Sequence, residues 1–447
     1  MKIKEKIPVS KNEEYIVDIL DYGADGEGIA KINNFTIFVK KALKGEKCKI
    51  HITKVTSAYA YANIIQILQK SDKRVEPDCT SYPRCGGCSL RHIKYEETLV
   101  IKRQKVQNLV NKMLEEKIKV DETVKMDRPK YYRNKAIFPI SANKKAGIFA
   151  ERSHNVIEFD ECKIQTKLSQ EIANFILENW EDTIYDEKTG RGLLRNIMVR
   201  EGFFTGEVMV VLIQNGTKTY DARKLIKKFS QIKTVIINVN TKNTNVVLSN
   251  QNIVVYGDGF IYDTLGEYKF KISVNSFYQV NPVQTEKLYK LAIEKANLQS
   301  DDILADLYCG IGTIGIFASK FVKKVYGIEI VESAIKDANE NAKLNNIKNV
   351  EFIQGDTEEA FDKLIKNNKK PTVVIVDPPR KGLDDKTVQN LCDLKLDRVV
   401  YVSCNPATLA RDLSKLEKVY SVKSITPVDN FCYSAHIECV ATLKIKK

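Results

Sequence analysis

The pattern of apolar and polar positions changes along the chain, and its first part is rich in short alternating runs. From about residue 12 to 69, apolar and polar residues alternate, and the turn-rich segment Gly23–Gly28 separates the first run from the second. A period of two is typical of half-buried strands, and several short strands joined by such turns predict a small all-β barrel. We expect this barrel to be a binding module.

The rest of the chain is predicted to contain longer strands and helices. The stretch from Tyr95 to about Glu116 predicts a helix, and residues 131–265 mix strand-like runs, including NVVLS at 245–249, with a helix near 167–180. From Asp302 onward, apolar strands alternate with helices, which predicts a doubly wound parallel sheet of the α/β class. The predicted domains are residues 1–69, 70–265 and 266–447.

Composition adds a candidate partner. The 447 residues include 71 Lys and Arg against 57 Asp and Glu, a formal charge of +14, which attracts polyanions such as nucleic acid. A basic surface without any ligand gives the same charge. No apolar stretch approaches the roughly 18 residues of a membrane span, and Met1–Lys6 lacks the apolar segment of a secretion signal. We therefore expect a cytoplasmic protein without membrane contact.

Two polar residues follow apolar runs of the predicted sheet directly. Asp377, in Asp-Pro-Pro-Arg, follows TVVIV, and Cys404, in Ser-Cys-Asn-Pro, follows RVVYV after one serine. Ligands of open α/β sheets bind beyond the carboxyl ends of the strands, so both residues are candidates for a site. The alternative for Cys404 is a small buried apolar residue at a strand end, which is common for cysteine.

The first turn of this sheet contains a glycine pattern, Gly310-x-Gly312-x-x-Gly315, which follows Asp306. Such glycines allow a ligand to approach the backbone, but the pattern alone also fits a dinucleotide fold. Glu329, after the second strand, is placed to accept hydrogen bonds from ribose hydroxyls. Asp356, after the third strand, faces an adenine or caps the next helix, and the sequence favours neither.

The chemistry after the fourth strand favours methyl transfer over hydride transfer. Asp377-Pro-Pro forms a rigid turn beside a reactive group, but Arg380 stands where enzymes that methylate amino groups usually carry an aromatic residue. The atom that receives the methyl group must then be made nucleophilic in another way. A Cys404 thiolate that adds to carbon 6 of uracil activates carbon 5, and Glu438 is the candidate base that removes the carbon 5 proton, with His436 as competitor.

Four cysteines upstream form a candidate metal set. Cys79, Cys85 and Cys88 lie in one short segment, and Cys162 is a possible fourth ligand. Thiolates without a histidine suit zinc and an iron-sulfur cluster equally, and a coincidence of free thiols is the alternative. The spacing differs from the C-x3-C-x2-C of radical enzymes, so we expect any cluster to be architectural or to contact RNA.

Together these motifs resemble the RNA uridine C5-methyltransferases of the RumA/TrmA type, over nearly the whole length. The resemblance rests on the barrel near 8–68, the cysteine set, SFYQVNPVQTEKLY, DLYCGIGTIG, DPPRKGL, VSCNP and the C-terminal HIE. It implies a Rossmann-like S-adenosylmethionine methyltransferase domain, an N-terminal TRAM barrel of the OB-like type and a central α+β iron-sulfur domain. The segment Asp429–His436 departs from the pattern of many relatives, which leaves the loop before Glu438 undefined.

The resemblance also implies roles for individual residues. Cys404 is the implied nucleophile, Glu438 the base, and the four cysteines are ligands of a [4Fe-4S] cluster. The implied S-adenosylmethionine site comprises Gln279, Asp306, Tyr308, Gly310, Glu329, Asp356 and Asp377. The combination of barrel and cluster favours 23S rRNA over tRNA as substrate. We expect a monomer without an obligate protein partner, and a non-catalytic RNA-binding or ribosome-assembly factor is the alternative from another class.

Overall fold

A computed structural model describes residues 7–151, 153–367 and 369–446. The segment Met1–Lys6, on which the prediction about secretion rests, lies outside these ranges. Within them, no helix has the length and apolar character needed to cross a membrane.

The N-terminal part is a six-stranded sheet that closes on itself. Its strands are β1 (Glu14–Asp18), β2 (Asp21–Tyr22), β3 (Gly28–Ile32), β4 (Phe35–Lys40), β5 (Lys47–Val55) and β6 (Tyr59–Gln69), in the order β1-β5-β6-β4-β3-β2. The two outer strands belong to one chain segment, in which the Ile19 amide donates to Glu46 O at 2.9 Å and the Leu20 amide donates to Ile29 O at 2.7 Å. This closure confirms the predicted barrel.

The alternating sequence explains how the barrel forms. Cys48, Ile50 and Ile52 of β5 are fully buried in the barrel core, whereas the residues between them are half-buried. Because successive side chains of a strand point to opposite faces, the buried apolar residues fill the interior and the residues between them lie on the outer face.

The middle of the chain contains a five-stranded sheet flanked by helices. Its elements are α1 (Tyr95–Met113), β7 (Lys135–Pro139), β8 (Gly147–Phe149), β9 (Val156–Glu158), α2 (Lys167–Glu178), β10 (Leu194–Glu201), β11 (Val208–Gln214), α3 (Arg223–Lys228), β12 (Ile232–Val239), β13 (Asn252–Tyr256), β14 (Phe260–Leu265) and β15 (Tyr268–Ser273). The sheet order is β13-β12-β11-β10-β7, and β8-β9 and β14-β15 form separate hairpins. The predicted helix near 167–180 is confirmed as α2.

Both faces of this sheet are covered, which explains its continuous apolar runs. Ile197 and Val199 of β10 belong to the core that contains Ile172 and Ile176 of α2. Met198, between them, belongs to the core shared with the C-terminal part of the chain.

The prediction of a strand at NVVLS, residues 245–249, is wrong. No strand forms there, because asparagine side chains of β12 and of the turn after it bind its backbone instead. Nδ2 of Asn240 donates to the carbonyls of Val246 and Val247, and the amide of Ser249 donates to Oδ1 of Asn238 at 3.0 Å. These side-chain bonds replace a strand ladder.

The C-terminal part is a seven-stranded sheet covered by helices on both faces. Its elements are α4 (Pro282–Ala296), β16 (Ile303–Leu307), α5 (Thr313–Ala318), β17 (Lys324–Glu329), α6 (Glu332–Leu344), β18 (Val350–Gln354), α7 (Thr357–Lys366), β19 (Val373–Val376), α8 (Asp385–Leu394), β20 (Arg398–Ser403), α9 (Pro406–Leu416), β21 (Tyr420–Val428) and β22 (Glu438–Ile445). The order is β18-β17-β16-β19-β20-β22-β21. The strands β16 to β20 are parallel, as predicted.

Two features at this end were not predicted. Strand β22 lies between β20 and β21 and is antiparallel to both. Helix α1, far upstream in sequence, packs here, since Val106 and Val110 share a core with Leu409 and Leu413 of α9. The boundaries at 69/70 and 265/266 stay predictions.

Candidate active site

A cavity of about 530 Å³ opens at the carboxyl ends of β16, β17, β19 and β20. Seven of the predicted site residues line it: Gln279, Tyr308, Gly310, Glu329, Asp377, Cys404 and Glu438. Residues from widely separated motifs therefore meet in one place, and we call it the active-site cavity.

The turn after β16 forms one wall of the cavity. Gly312 has φ +81°, and a Cβ atom there would lie 2.5 Å from Cζ of Phe352, so both the conformation and the space require glycine. The Glu329 carboxylate braces the same turn: Oε2 accepts from the Gly310 amide at 3.1 Å, and Oε1 accepts from the Val331 amide at 2.9 Å. Its remaining lone pairs are available to a ligand in the cavity.

Asp306 and Asp356 lie outside the cavity lining. Asp306 is fully buried beneath the turn, and its Oδ2 accepts from the Gly315 amide at 2.8 Å. Asp356 is the N-cap of α7, where Oδ1 accepts from the Glu358 amide at 3.0 Å, and it lines a smaller neighbouring cavity of about 260 Å³. In the structure, therefore, Asp306 supports the glycine turn and Asp356 caps a helix.

The Asp-Pro-Pro-Arg turn and the Cys404 turn are hydrogen-bonded to each other. Nδ2 of Asn405 donates to Arg380 O at 3.0 Å, and Oγ1 of Thr408 donates to the same carbonyl at 3.3 Å. Asn405 also caps α9, with Oδ1 accepting from the Ala407 amide at 3.1 Å. These bonds fix the strand end that carries Cys404 against the turn that carries Asp377.

The antiparallel pairing of β20 with β22 brings Glu438 to Cys404. Ser403 pairs with Cys439 at the end of the ladder, so the next position on each strand is Cys404 and Glu438, respectively. Both side chains line the cavity. A residue 34 positions later in sequence is thereby placed beside the thiol by strand register alone.

Burial raises the pKa of three acidic groups in the cavity, and neighbouring charges add to the shift of two of them. Burial raises the pKa of Glu438 to about 8, helped by the Asp377 charge and opposed by Arg380. Burial also raises the pKa of Cys404 to about 11, again with Glu438 and Asp377 adding to the shift and Arg380 opposing it. The pKa of Asp377 rises to about 7 through burial. A cation that enters the cavity would lower all three pKa values.

Sequence reasoning missed four aromatic residues of the cavity: Phe277, Tyr278, Tyr289 and Phe431. Phe277 lines it with 71% of its surface exposed, and Phe431 lines it beside His436, the two rings 6.2 Å apart. Phe277 lies two residues before Gln279 in a motif already singled out, which was the available signal. Burial lowers the pKa of His436, helped by Arg380, so its imidazole is neutral near pH 7.

The segments that carry the four upstream cysteines contact the barrel and α2: Nζ of Lys41 donates to Pro83 O at 3.1 Å, and the Cys162 amide donates to Oε1 of Gln170 at 2.6 Å. Within the described ranges, no group of three or more His, Cys, Asp or Glu side chains is arranged to hold a metal ion. The thiols nevertheless interact electrostatically: Cys79 and Cys88 both raise the pKa of Cys85, and Cys85 and Cys88 raise that of Cys162, although burial is the larger cause. The cysteines therefore lie in one neighbourhood, and their role as ligands stays a prediction.

Two arginines flank this neighbourhood, Arg91 buried and Arg133 half-buried. Arg91 and Arg133 both lower the pKa of Cys88, opposing the larger effect of burial. The Nε atoms of both arginines are buried without a hydrogen-bond partner in the part of the chain that the structure describes. Unsatisfied cationic donors beside four soft thiols would balance the negative charge of thiolates.

Comparison with known proteins places this geometry in a family. The model for tRNA (uracil-5-)-methyltransferases matches residues 94–446, and the TRAM domain model matches residues 8–65. The chain belongs to the tRNA (uracil-5-)-methyltransferase family. It is thus a methyltransferase of the RNA uracil-5 class, and its barrel is a TRAM domain.

Full-length relatives support this membership. An uncharacterized RNA methyltransferase of Clostridium acetobutylicum is 43% identical over 99% of both chains, and one of Halalkalibacterium halodurans is 42% identical over 99% of both. Among solved structures, the tRNA (uracil-54, C5)-methyltransferase of Pyrococcus abyssi in complex with S-adenosyl-L-homocysteine has a TM-score of 0.79 and 28% identity, covering 96% of this chain and 99% of its own. The family member described here therefore has the architecture of that enzyme throughout.

Proposed function

We propose that this methyltransferase uses S-adenosylmethionine to methylate carbon 5 of a uridine in RNA through a covalent adduct on Cys404. The observation that carries the proposal is the meeting of a thiol, Cys404, and a buried carboxyl group, Glu438, at adjacent strand ends in one cavity. This chemistry needs a nucleophile and a base that both reach the same uracil ring, because carbon 5 of uracil is otherwise inert.

S-adenosylmethionine would lie against the turn after β16. Glu329 is held there by two backbone amides and offers its free lone pairs to ribose hydroxyls, while Gln279, Tyr308 and Asp377 line the adjoining walls. When bound, the cofactor supplies an electrophilic methyl group and positive charge. The family membership and the S-adenosyl-L-homocysteine complex of the Pyrococcus abyssi enzyme support this assignment.

The residues of the chain carry the bond changes on the uracil ring. Sγ of Cys404 adds to carbon 6 and forms a carbon-sulfur bond. The electron pair of the former carbon 5–carbon 6 double bond would then form the bond to the methyl group, whose bond to the sulfonium sulfur breaks and leaves its electron pair on that sulfur. Glu438 takes the carbon 5 proton. The electrons of that carbon-hydrogen bond restore the double bond as the bond from carbon 6 to sulfur breaks, which returns Cys404 as thiolate.

A trapping reaction tests the proposal. RNA with 5-fluorouridine at the target position cannot lose fluorine from carbon 5, so incubation with S-adenosylmethionine should leave protein bound to methylated RNA, visible as a shifted band and by mass at the Cys404 peptide. Cys404→Ala should form no adduct. Cys439→Ala is the matched control, because that buried thiol lies on the paired strand but does not line the cavity. Absence of any adduct with wild-type protein would overturn the mechanism.

We propose 23S rRNA as the substrate, with tRNA as the second candidate. The resemblance to rRNA enzymes that carry barrel and cluster supports the first. The second is favoured by the family description and by the Pyrococcus abyssi tRNA enzyme, which covers 96% of this chain including the barrel region. Mapping of 5-methyluridine in both RNAs from a deletion strain decides between them, because the lost modification identifies the substrate.

We further propose that Cys79, Cys85, Cys88 and Cys162 hold a [4Fe-4S] cluster. The donor set and the flanking Arg91 and Arg133 charges support it. Anaerobically purified protein should contain about four irons and four sulfides per chain. Cys85→Ser should lose them, while Cys392→Ser, a half-buried thiol on α8, should not. Retained iron in the first variant, or one zinc per wild-type chain, would refute the assignment.

A further inference from the structure

We propose that Arg411 and Asp412 of α9 are positioning residues that hold Arg380 beside the Cys404 thiol. They do so by binding the turn at residues 379–383, which carries Arg380, and we call these five residues the arginine turn. The inference rests on the proposed function, because it concerns the nucleophile of that reaction.

The arginine turn depends on support from outside. The Gly382 amide closes it by donating to Pro379 O at 2.8 Å, and Gly382 has φ +79°. Arg380 and Lys381, the two central residues, are exposed, so core packing does not hold them. The carbonyls of Arg380, Lys381 and Leu383 accept instead from side chains of α9. That helix thus supplies the support that the turn lacks on its own.

Asp412 ties the turn to the strand that leads to Cys404. Its side chain is fully buried, and Oδ2 accepts from the Leu383 amide at 2.9 Å and from the Tyr401 hydroxyl at 2.8 Å. Tyr401 belongs to β20, which ends immediately before Cys404. One carboxylate oxygen therefore joins the turn to the strand of the nucleophile.

Arg411 pairs with this carboxylate and binds the turn as well. Nε donates to Oδ1 of Asp412 at 2.8 Å, while Nη2 donates to Lys381 O at 2.9 Å and to Leu383 O at 3.3 Å. A buried carboxylate is costly unless it is paired and hydrogen-bonded, and the flat guanidinium does both while it reaches two carbonyls. A lysine, with one compact ammonium group, cannot make all of these contacts.

The fit between turn and helix is close. A Cβ atom on Gly382 would lie 2.4 Å from Oδ2 of Asp412 and 2.6 Å from Nη2 of Arg411, so the turn lies directly on this pair. Thr408, which also donates to the Arg380 carbonyl, precedes them by three and four residues, and these spacings place all three side chains on one face of the helix. One face of α9 thus follows the backbone of the turn.

This arrangement sets the separation between the thiol and the guanidinium. Cys404 lies two residues before Pro406, the first residue of α9, and Arg380 lies on the turn that the same helix holds. Burial, then Glu438 and Asp377, raise the pKa of Cys404, whereas Arg380 lowers it. If α9 released the turn, the exposed Arg380 side chain would move away from the thiol, and less thiolate would form at a given pH.

Alkylation of Cys404 by iodoacetamide tests this role on the full-length protein, without RNA or cofactor and above neutral pH. His436, which lines the same cavity, is neutral there because burial and then Arg380 lower its pKa. Asp412→Asn keeps the side-chain shape but removes the charge and one acceptor. We expect the pKa of Cys404 to rise by about 0.5 unit, which slows alkylation about threefold at a fixed pH.

A second variant covers the case in which Asp412→Asn does not fold. Arg411→Lys keeps a cation for Asp412 but loses the forked contacts with two carbonyls, and we expect it to slow alkylation about twofold. Lys415→Met is the matched control on the same helix, because Lys415 pairs with Asp385 of α8 at 2.6 Å. Its alkylation rate should equal that of the wild type.

The Arg380→Ala background separates positioning from a general structural effect. If Asp412 acts through Arg380, adding Asp412→Asn to Arg380→Ala should change the rate by less than about 1.5-fold, because the guanidinium is already absent. A further threefold slowing in that background would overturn the proposal. Unchanged alkylation of Asp412→Asn and Arg411→Lys in otherwise wild-type protein would overturn it as well.

The result is distinguishable from that of the trapping experiment. Alkylation reports the charges around the thiol whether or not an adduct with uracil forms. A missing adduct together with the expected alkylation rates would refute the proposed function and leave the positioning of Arg380 intact. A normal adduct with unchanged alkylation rates would refute this inference alone.

Discussion

Nζ of Lys102 lies 2.6 Å from Oδ1 of Asp429, and both side chains are almost completely buried. The same Nζ donates to Phe431 O at 2.8 Å, and the Tyr95 hydroxyl donates to Oδ2 of Asp429 at 2.7 Å. Helix α1, which follows the cysteine segment, is thereby bonded to the loop that presents Phe431 and His436 to the active-site cavity.

Lys102→Met should strongly destabilise the protein, because it leaves the Asp429 carboxylate buried without its cation. Breaking a buried pair typically costs about 3–5 kcal/mol, and we expect a loss of that order in the free energy of unfolding by urea. Lys112→Met, an exposed lysine in the last turn of the same helix, should change it by less than about 0.5 kcal/mol. Equal stability of the two variants would show that the pair does not hold the loop.

Release of the methylated product should accelerate with pH. Burial, and then the Asp377 charge, raise the pKa of Glu438 to about 8, and only the deprotonated carboxylate accepts the carbon 5 proton. Decay of a preformed adduct should therefore rise roughly tenfold per pH unit below pH 8 and level off above it.

Two variants check this assignment. Glu438→Gln should form the adduct but release it slowly at every pH. His436→Ala should keep the rise and the plateau, because the carboxylate is still present. Loss of the pH dependence in the histidine variant instead would make His436 the base.

The pKa of the Cys404 thiol should shift in opposite directions when a neighbouring carboxylate or the neighbouring arginine is removed. Burial first, and then Glu438 and Asp377, raise its pKa to about 11, while Arg380 lowers it. Because Glu438 is ionised well before the thiol titrates, Glu438→Gln should lower the pKa of Cys404 and Arg380→Ala should raise it. The pH dependence of iodoacetamide alkylation at the Cys404 peptide measures both, and shifts of the same sign would contradict this electrostatic arrangement.

Glu329→Gln should weaken binding of S-adenosyl-L-homocysteine roughly tenfold or more, since charge-assisted hydrogen bonds are worth about 1.5–3 kcal/mol. The amide also places a donor where two backbone N–H groups now point at a carboxylate. Calorimetric titration gives the Kd. Glu332→Gln, on an exposed position at the start of α6, serves as control, and equal affinities would remove Glu329 from the cofactor site.

Sequence reasoning identified the strand ends at which the side chains of the site meet in the structure. Asp377 and Cys404 could be found because an apolar run followed by a polar motif marks the carboxyl end of a parallel strand. Glu438 was found through the HIE motif, but the strand pairing that brings it to Cys404 was not, since the antiparallel contact between β20 and β22 is long-range and local periodicity does not contain it.

The other features that the sequence did not predict have similar physical causes. The run at Val246–Ser249 has strand composition, but Asn238 and Asn240 bind its backbone, and such tertiary bonds are invisible in a local pattern. Helix α1 was predicted from its sequence, whereas its packing on α9 depends on a fold formed some 300 residues later. Phe431 lies in a loop without periodicity.

The register of β22 limits which sequence changes the loop before it can accept. Shifting its alignment with β20 by a single position would send the Glu438 carboxyl through to the reverse side of the sheet, far from the reacting base. The preceding loop must therefore preserve this alignment as well as the buried Lys102–Asp429 pair and the cavity-lining Phe431 and His436. The unusual sequence of residues 429–436 is compatible with an active enzyme as long as these features are kept.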